Sequence, residues 1–178
     1  MLTRCVVIAA LTFPALAAAQ VVDVKGVAFG SSEATILKTL QGSNCGTPPK
    51  GVSGDRWCHV IRGGTYGGAP AQIYFTLYND AMQAATVSFS PRDYNAIVGA
   101  LSERHGPAHR TDSEHLTTRM GVVLENTVAR WKIDDVLITA RRYSYSIDTG
   151  SVTLETTAGR AEAAMRARQA APERAKDL

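Results

Sequence analysis

Two short runs of alternating polarity, Gln72 to Tyr78 and Ala84 to Ser90, flank the turn residues Asn79-Asp80, and a helical stripe follows at once. Ile73, Phe75 and Leu77 form the apolar set of the first run, and Val87 and Phe89 continue it in the second. A period of two presents one side of a strand to a core, so the pair reads as an antiparallel hairpin buried on one face. Tyr94, Ile97, Val98 and Leu101 then recur at i, i+3, i+4, i+7, with Ser90 as cap, Pro91 in the first turn and Gly106-Pro107 as the stop. An apolar sheet face and an apolar helix stripe must cover each other, which predicts an α+β chain.

The same order of elements recurs along the sequence. Upstream, Val21 to Phe29 reads as a strand or extended arm, Gly30-Ser31-Ser32 supplies turn and cap chemistry, and Ile36, Leu37 and Leu40 mark a helix ending near Gly42. Downstream, a polar stretch from Ala108 to Asn126 that includes a strand leads to Val128–Ile133, an Asp134-Asp135 turn, Val136–Tyr145, an Asp148-Thr149-Gly150 hairpin and Ser151–Thr156. Ala85–Ser90 matches Gly150–Glu155 in polarity, with Val87 equated to Val152, 65 residues further on. The expectation is a single α+β domain over residues 20–157, made of two tandem helix-then-antiparallel-strands repeats (about 29–90 and 91–157) that form one sheet with the helices on one face. From Ala158 the composition shifts to Ala, Arg and Glu, so 158–178 reads as an Ala/Arg-rich helix or mobile tail.

Residues 1–19 have the pattern of a secretory signal peptide: a basic start at Arg4, an apolar core from Cys5 to Leu16, and Ala17-Ala18-Ala19 before Gln20. The apolar core is too short to span a bilayer, so the expected product is periplasmic or secreted, with no membrane span in the mature protein. Loss of the leader removes Cys5 and leaves Cys45 and Cys58, with twelve residues between them in a stretch rich in Gly and Pro; in an oxidising compartment they pair as a structural disulfide. Lys and Arg number 19 against 16 Asp and Glu, without a basic run longer than Arg141-Arg142, so nucleic acid is not an expected partner.

The helix entry Phe29-Gly30-Ser31-Ser32 with Ile36, Leu37 and Leu40, and the helix end His105-Gly106-Pro107 followed by strands bearing Trp131, resemble the tandem units of the beta-lactamase inhibitor protein family and of the small outer-membrane assembly lipoproteins. The resemblance spans roughly Val24 to Thr156 and implies a helix-plus-sheet fold used for protein contacts. Gln20, where a lipoprotein would carry its anchor cysteine, departs from the second family.

Catalytic chemistry finds little to build on. His105 and His109 have the spacing of helical metal ligands, but Gly106-Pro107 breaks the helix that would align them. Asp112, Glu114 and His115 lie on a polar connection, and Asp134-Asp135 is a turn pair. Phosphate-cradle, dinucleotide and serine-elbow motifs are missing, and the glycines of Gly63 to Gly68 read as a flexible turn. Neither a cofactor nor a metal is expected.

Alternation supplies a different candidate. If Ile73, Phe75, Leu77, Val87, Phe89, Trp131, Ile138, Val152 and Leu154 pack beneath the helices, the opposite sheet face carries Tyr74, Thr76, Tyr78, Arg130, Lys132, Arg141 and Tyr143. Tyr and Arg are the side chains that anchor protein contacts. The expected function is an inhibitor-, immunity- or envelope-assembly-like module that binds another envelope or secreted protein; a small periplasmic metal-dependent or hydrolytic enzyme is the alternative.

Overall fold

The computed structural model describes residues 21–60, 64–117 and 121–174, with side chains to residue 169. The leader predicted over residues 1–19 lies outside the described residues, and so does Cys5.

A two-stranded ribbon, β1 (Asp23–Val24) and β2 (Val27–Ala28), opens the described chain and turns at Lys25-Gly26. Helix α1 (Glu33–Thr39) follows, then β3 (Ser43–Gly46), β4 (Arg56–Val60), β5 (Thr65–Tyr66), β6 (Ala69–Tyr78) and β7 (Ala81–Phe89). A 3-10 turn over Pro91–Asp93 leads into α2 (Tyr94–His105), and β8 (Arg110–Thr117), β9 (Val123–Ile133), β10 (Val136–Ser146), β11 (Thr149–Thr156) and α3 (Thr157–Arg174) complete the order. The chain is therefore α+β, dominated by one antiparallel sheet of nine strands. Eight run in the order β3-β4-β6-β7-β11-β10-β9-β8, and β5 pairs with β6 beside that path.

Local chemistry explains the ends of these elements. Ser32 Oγ accepts a hydrogen bond from the Thr35 amide at 3.3 Å and caps α1. Ser90 acts through its backbone instead: its carbonyl accepts from the Asp93 amide at 2.9 Å, which tightens the entry to α2 into the 3-10 turn. Asn79 and Asp80 both adopt positive φ, 52° and 56°, as a two-residue turn between twisted antiparallel strands requires. The Gly63–Gly68 segment is more ordered than a flexible turn where it is described, because Thr65 and Tyr66 pair with Pro70 and Ala69. Only glycine fits at position 67 of that hairpin. Its φ is +56°, and a Cβ there would lie 3.0 Å from Ala100 Cβ and 3.2 Å from Ile97 Cα on α2.

The core lies on one side of the sheet. Ile73, Phe75, Leu77, Val87, Phe89, Trp131, Ile138, Val152 and Leu154 all enter it, each at most 5% exposed, and Ile36 of α1 with Tyr94, Ile97 and Leu101 of α2 close over them. Leu37, expected in the buried stripe of α1, is 43% exposed because α1 presents only Ile36 fully to the core. Trp131 also fixes the end of α2: its indole Nε1 donates to the Gly106 carbonyl at 2.9 Å, satisfying one of the carbonyls a helix end leaves free.

Cys45 and Cys58 are disulfide-bonded, and they are directly opposed residues on neighbouring strands. The Gly- and Pro-rich stretch between the cysteines is thus bracketed by two strands of the sheet, β3 and β4. The third helix departs from an arrangement with every helix over the core. It contacts β7 and β11, and its Arg166 lies against Tyr78 and Asp55 at the end of β6.

Candidate functional site

Strand registers define the sheet face opposite the core residue by residue. One row crosses the sheet from Tyr74 through Thr86, Thr153, Thr139 and Arg130 to Arg110, each directly opposite the next on the adjoining strand. The neighbouring rows carry Ser88, Ser151 and Arg141 on one side and Trp57, Thr76 and Ala84 on the other. The middle of this face, on β7, β11 and β10, has a floor of short side chains except in the Trp57 row, which continues from Ala84 through Glu155 and Leu137 to Lys132. Long side chains stand on both flanks: aromatic rings over β4 and β6, arginines over β8 to β10.

On the aromatic flank Trp57 and Tyr74 stack with centroids 5.0 Å apart and planes 15° from parallel, and the His59 ring lies 5.0 Å from that of Trp57, tilted by 31°. The Tyr74 hydroxyl donates to Gln72 Oε1 at 2.6 Å. Tyr145 at the far end of β10 leans toward them and is 85% exposed. Trp57, Tyr74 and Tyr145, with Val52, enclose a groove of about 260 Å³ above Thr86 and Ser88. Among the described residues, no charged side chain lines it.

The position of Tyr145 follows from a buried amide. Asn126 is 1% exposed; its Nδ2 donates to the Tyr143 carbonyl at 3.0 Å, and its Oδ1 accepts from the Tyr143 amide at 2.8 Å. The regular β9–β10 register stops at Arg141 opposite Val128, so the Asn126 side chain replaces the ladder bonds that Tyr143 would otherwise lack. Beyond it the β10–β11 pairing shifts register between Arg141 and Ser146.

The charged flank is a chain of ion pairs. Arg110 Nε donates to Asp112 at 2.7 Å, Arg130 also donates to Asp112, its Nη2 reaches Glu114 at 3.4 Å, and Arg141 Nη1 donates to Glu114 at 2.6 Å. The Arg110 guanidinium, followed by that of Arg130, holds the Asp112 carboxyl below the usual aspartate range. Three arginines therefore share two carboxylates, and Val128, directly opposite Asp112 on one side and Arg141 on the other, is fully buried although it lies on this face.

The structure brings most of the sequence-predicted residues together. Tyr74, Thr76, Arg130, Arg141 and Tyr143 are half-buried on the face, and Lys132 is exposed on it. Tyr78 differs. Alternation places it with Tyr74 and Thr76, yet it is 5% exposed, because α3 folds over that end of β6 and sets the Arg166 guanidinium 4.8 Å from the ring centre. Burial raises its phenol pKa. Tyr78 is thus a packing residue, not an accessible one. Trp57, His59, Thr86, Asn126 and Tyr145 belong to the face and escaped the sequence reading. The alternation of Trp57-Cys58-His59-Val60 was the available signal.

The polar cluster around His109 does not converge. Along β8, Asp112 and Glu114 are half-buried and engaged with arginines, whereas Ser113 and His115 alternate to the opposite side and are exposed. Among the described residues, no group of three His, Cys, Asp or Glu side chains is placed to hold a metal ion. Asp134 and Asp135 form the β9–β10 turn, where Asp134 has φ of 51°.

No protein-family model and no curated protein sequence matches this chain. Among solved structures the chain is similar to a DUF4309 family protein (YjgB) from Bacillus subtilis subsp. subtilis str. 168, at 13% identity and a TM-score of 0.36, over 71% of this chain and 79% of that one. No residue or role is carried across at that level of likeness.

Proposed function

We propose that this chain is an exported protein-binding module, of the inhibitor, immunity or envelope-assembly kind, which engages another envelope or secreted protein through the sheet face opposite its core. The observation that carries this reading is the stacked Trp57–Tyr74 pair beside Tyr145, three aromatic side chains on one flank of a sheet that carries oriented arginines on its other flank. Aromatic and arginine side chains dominate measured interface energies, and a sheet holds them with little entropy left to lose.

The finer architecture in this reading is a duplication of helix followed by four strands. Its support is the mirrored strand order, β3-β4-β6-β7 against β8-β9-β10-β11, with the last strand of each set meeting at the centre. The resemblance to the inhibitor and assembly families stands on the same pattern. Export is supported by the Cys45–Cys58 disulfide and is compatible with the finding that no described helix is long and apolar enough to cross a membrane.

The test is capture from an envelope extract with the chain from Gln20 onward as bait, repeated with Tyr74→Ala and Arg141→Ala. Partners retained by the original and lost by both variants support the reading; partners retained equally by all three place the contact elsewhere.

A further inference from the structure

Beyond the existence of a contact face, its two flanks differ in a way that selects a partner. The groove between Trp57, Tyr74 and Tyr145 has about 260 Å³ and, among the described residues, no charged lining, whereas Arg130, Arg141 and Lys132 stand on β9 and β10. Between them the floor is Thr86, Thr153 and Thr139. Tyr74 and Arg130 are four strand spacings apart, about 19 Å, so a single peptide segment laid on the floor reaches both.

We infer that the face takes an acidic, amphipathic segment of a partner protein, with an aromatic or large aliphatic side chain entering the Trp57–Tyr74–Tyr145 groove and carboxylates pairing with Arg130 and Arg141. This rests on the reading of the face as a protein-binding surface and adds the chemistry of what it binds. Two features favour carboxylates. The arginines of this flank outnumber its ion-paired acids, since Arg110, Arg130 and Arg141 share Asp112 and Glu114; Lys132 is matched by Glu155 in its own row across the face, so one positive charge is left in excess. Arg130 and Arg141 are also already oriented by those acids. A guanidinium has five donors, and Arg141 spends one on Glu114, so a planar fork remains for an incoming carboxylate without the cost of ordering a free side chain. The uncharged groove excludes a charged group on the other flank, because it offers no countercharge to replace lost water.

The experiment is selection from a display library of random peptides on the immobilised protein, followed by titration of the best peptide against Trp57→Ala, Arg141→Gln and the parent. Trp57 reports the groove directly by fluorescence, since the only other tryptophan, Trp131, is 2% exposed. The expected winners combine Asp or Glu with an aromatic or large aliphatic residue. Trp57→Ala and Arg141→Gln should each weaken them about tenfold or more, and salt should weaken binding to the parent more than to Arg141→Gln. Peptides that need Trp57 but carry no acids, or are indifferent to Arg141→Gln, overturn the acidic segment while leaving the face as a protein site. Three other results overturn both readings: an empty selection, peptides indifferent to both substitutions, or a Trp57 response to neutral oligosaccharides such as maltohexaose in place of peptides. A dimer held together through Trp57 would make the occupant a second copy and overturn the acidic segment.

Discussion

Val87 of β7 lies directly opposite Val152 of β11, and both are fully buried. This pair joins β3-β4-β6-β7 to β11-β10-β9-β8, and it equates the same two residues that the polarity repeat of the sequence equates. Residues matched by a two-fold relation face one another when the relation's axis passes between them. The proposed duplication therefore predicts this contact.

If the halves are one cooperative unit, Val87→Ala and Val152→Ala should each cost about 2 kcal/mol of stability. Because the residues touch, the double variant should depart from the sum by about 0.5 kcal/mol or more. Denaturant titration measures both. Two separate unfolding transitions, or strict additivity, would count against a continuous central pair.

The disulfide has its own signature. Protein beginning at Gln20 should show no thiol reactive toward aromatic disulfide reagents until it is reduced, since Cys45 and Cys58 are its only cysteines and are bonded to each other. Replacing both with Ala should lower stability by about 3 kcal/mol, the loop-closure contribution for a crosslink of this span. Free thiols in native oxidised protein would contradict the pairing.

Asn126 was illegible in the sequence, and the reason is general. Its role depends on the Tyr143 backbone seventeen positions away, across a pairing that ends two residues earlier. Asn126→Ala leaves the Tyr143 amide and carbonyl without partners, so it should cost about 1–3 kcal/mol and speed hydrogen exchange at Tyr143 relative to Ala140. Unchanged exchange there would show that Asn126 does not hold the strand.

The pH dependence follows from two groups. Hydrogen bonds from Arg56 at 2.6 and 2.8 Å hold the Glu33 carboxyl below the usual glutamate range. Its folded pKa is thus lower than its unfolded one, so this contribution is complete above the ordinary glutamate pKa and fades as pH falls through the folded value. Burial pushes the Tyr66 phenol the other way, from 10.0 to about 12. That contribution is complete below pH 10 and is lost as pH rises toward 12. Melting temperature against pH should therefore lose part of its acid limb in Glu33→Gln and part of its alkaline limb in Tyr66→Phe. Limbs identical to the parent's would contradict the assignments.

What the sequence revealed was periodicity. The alternation of Ile73, Phe75 and Leu77 and the stripe Tyr94, Ile97 and Leu101 located a hairpin and a helix because each needs only its own residues to declare a buried face. Pairing between distant strands leaves no such local mark. Trp57 sits in a five-residue strand inside a Gly- and Pro-rich stretch, and its stack with Tyr74 exists only once β4 is laid beside β6. Tyr78 was misplaced for the same reason: alternation gives the side it points to, but not that α3 closes over it with Arg166. Arg130 and Arg141 were correctly put on the face, while their engagement by Asp112 and Glu114 needed the register of β8 against β9.

The central claim is that the face opposite the core binds a protein partner, and calorimetric affinity for the captured partner tests it most directly. Tyr74 and Arg141 are half-buried side chains on strands of the two sides of the sheet, and truncating either loses one ring stack or one ion pair, about 1 kcal/mol of fold stability. The account predicts that Tyr74→Ala and Arg141→Ala each weaken binding about tenfold or more while the melting temperature falls by only a few degrees. Parent-like affinity in both variants, with both folded, would contradict it.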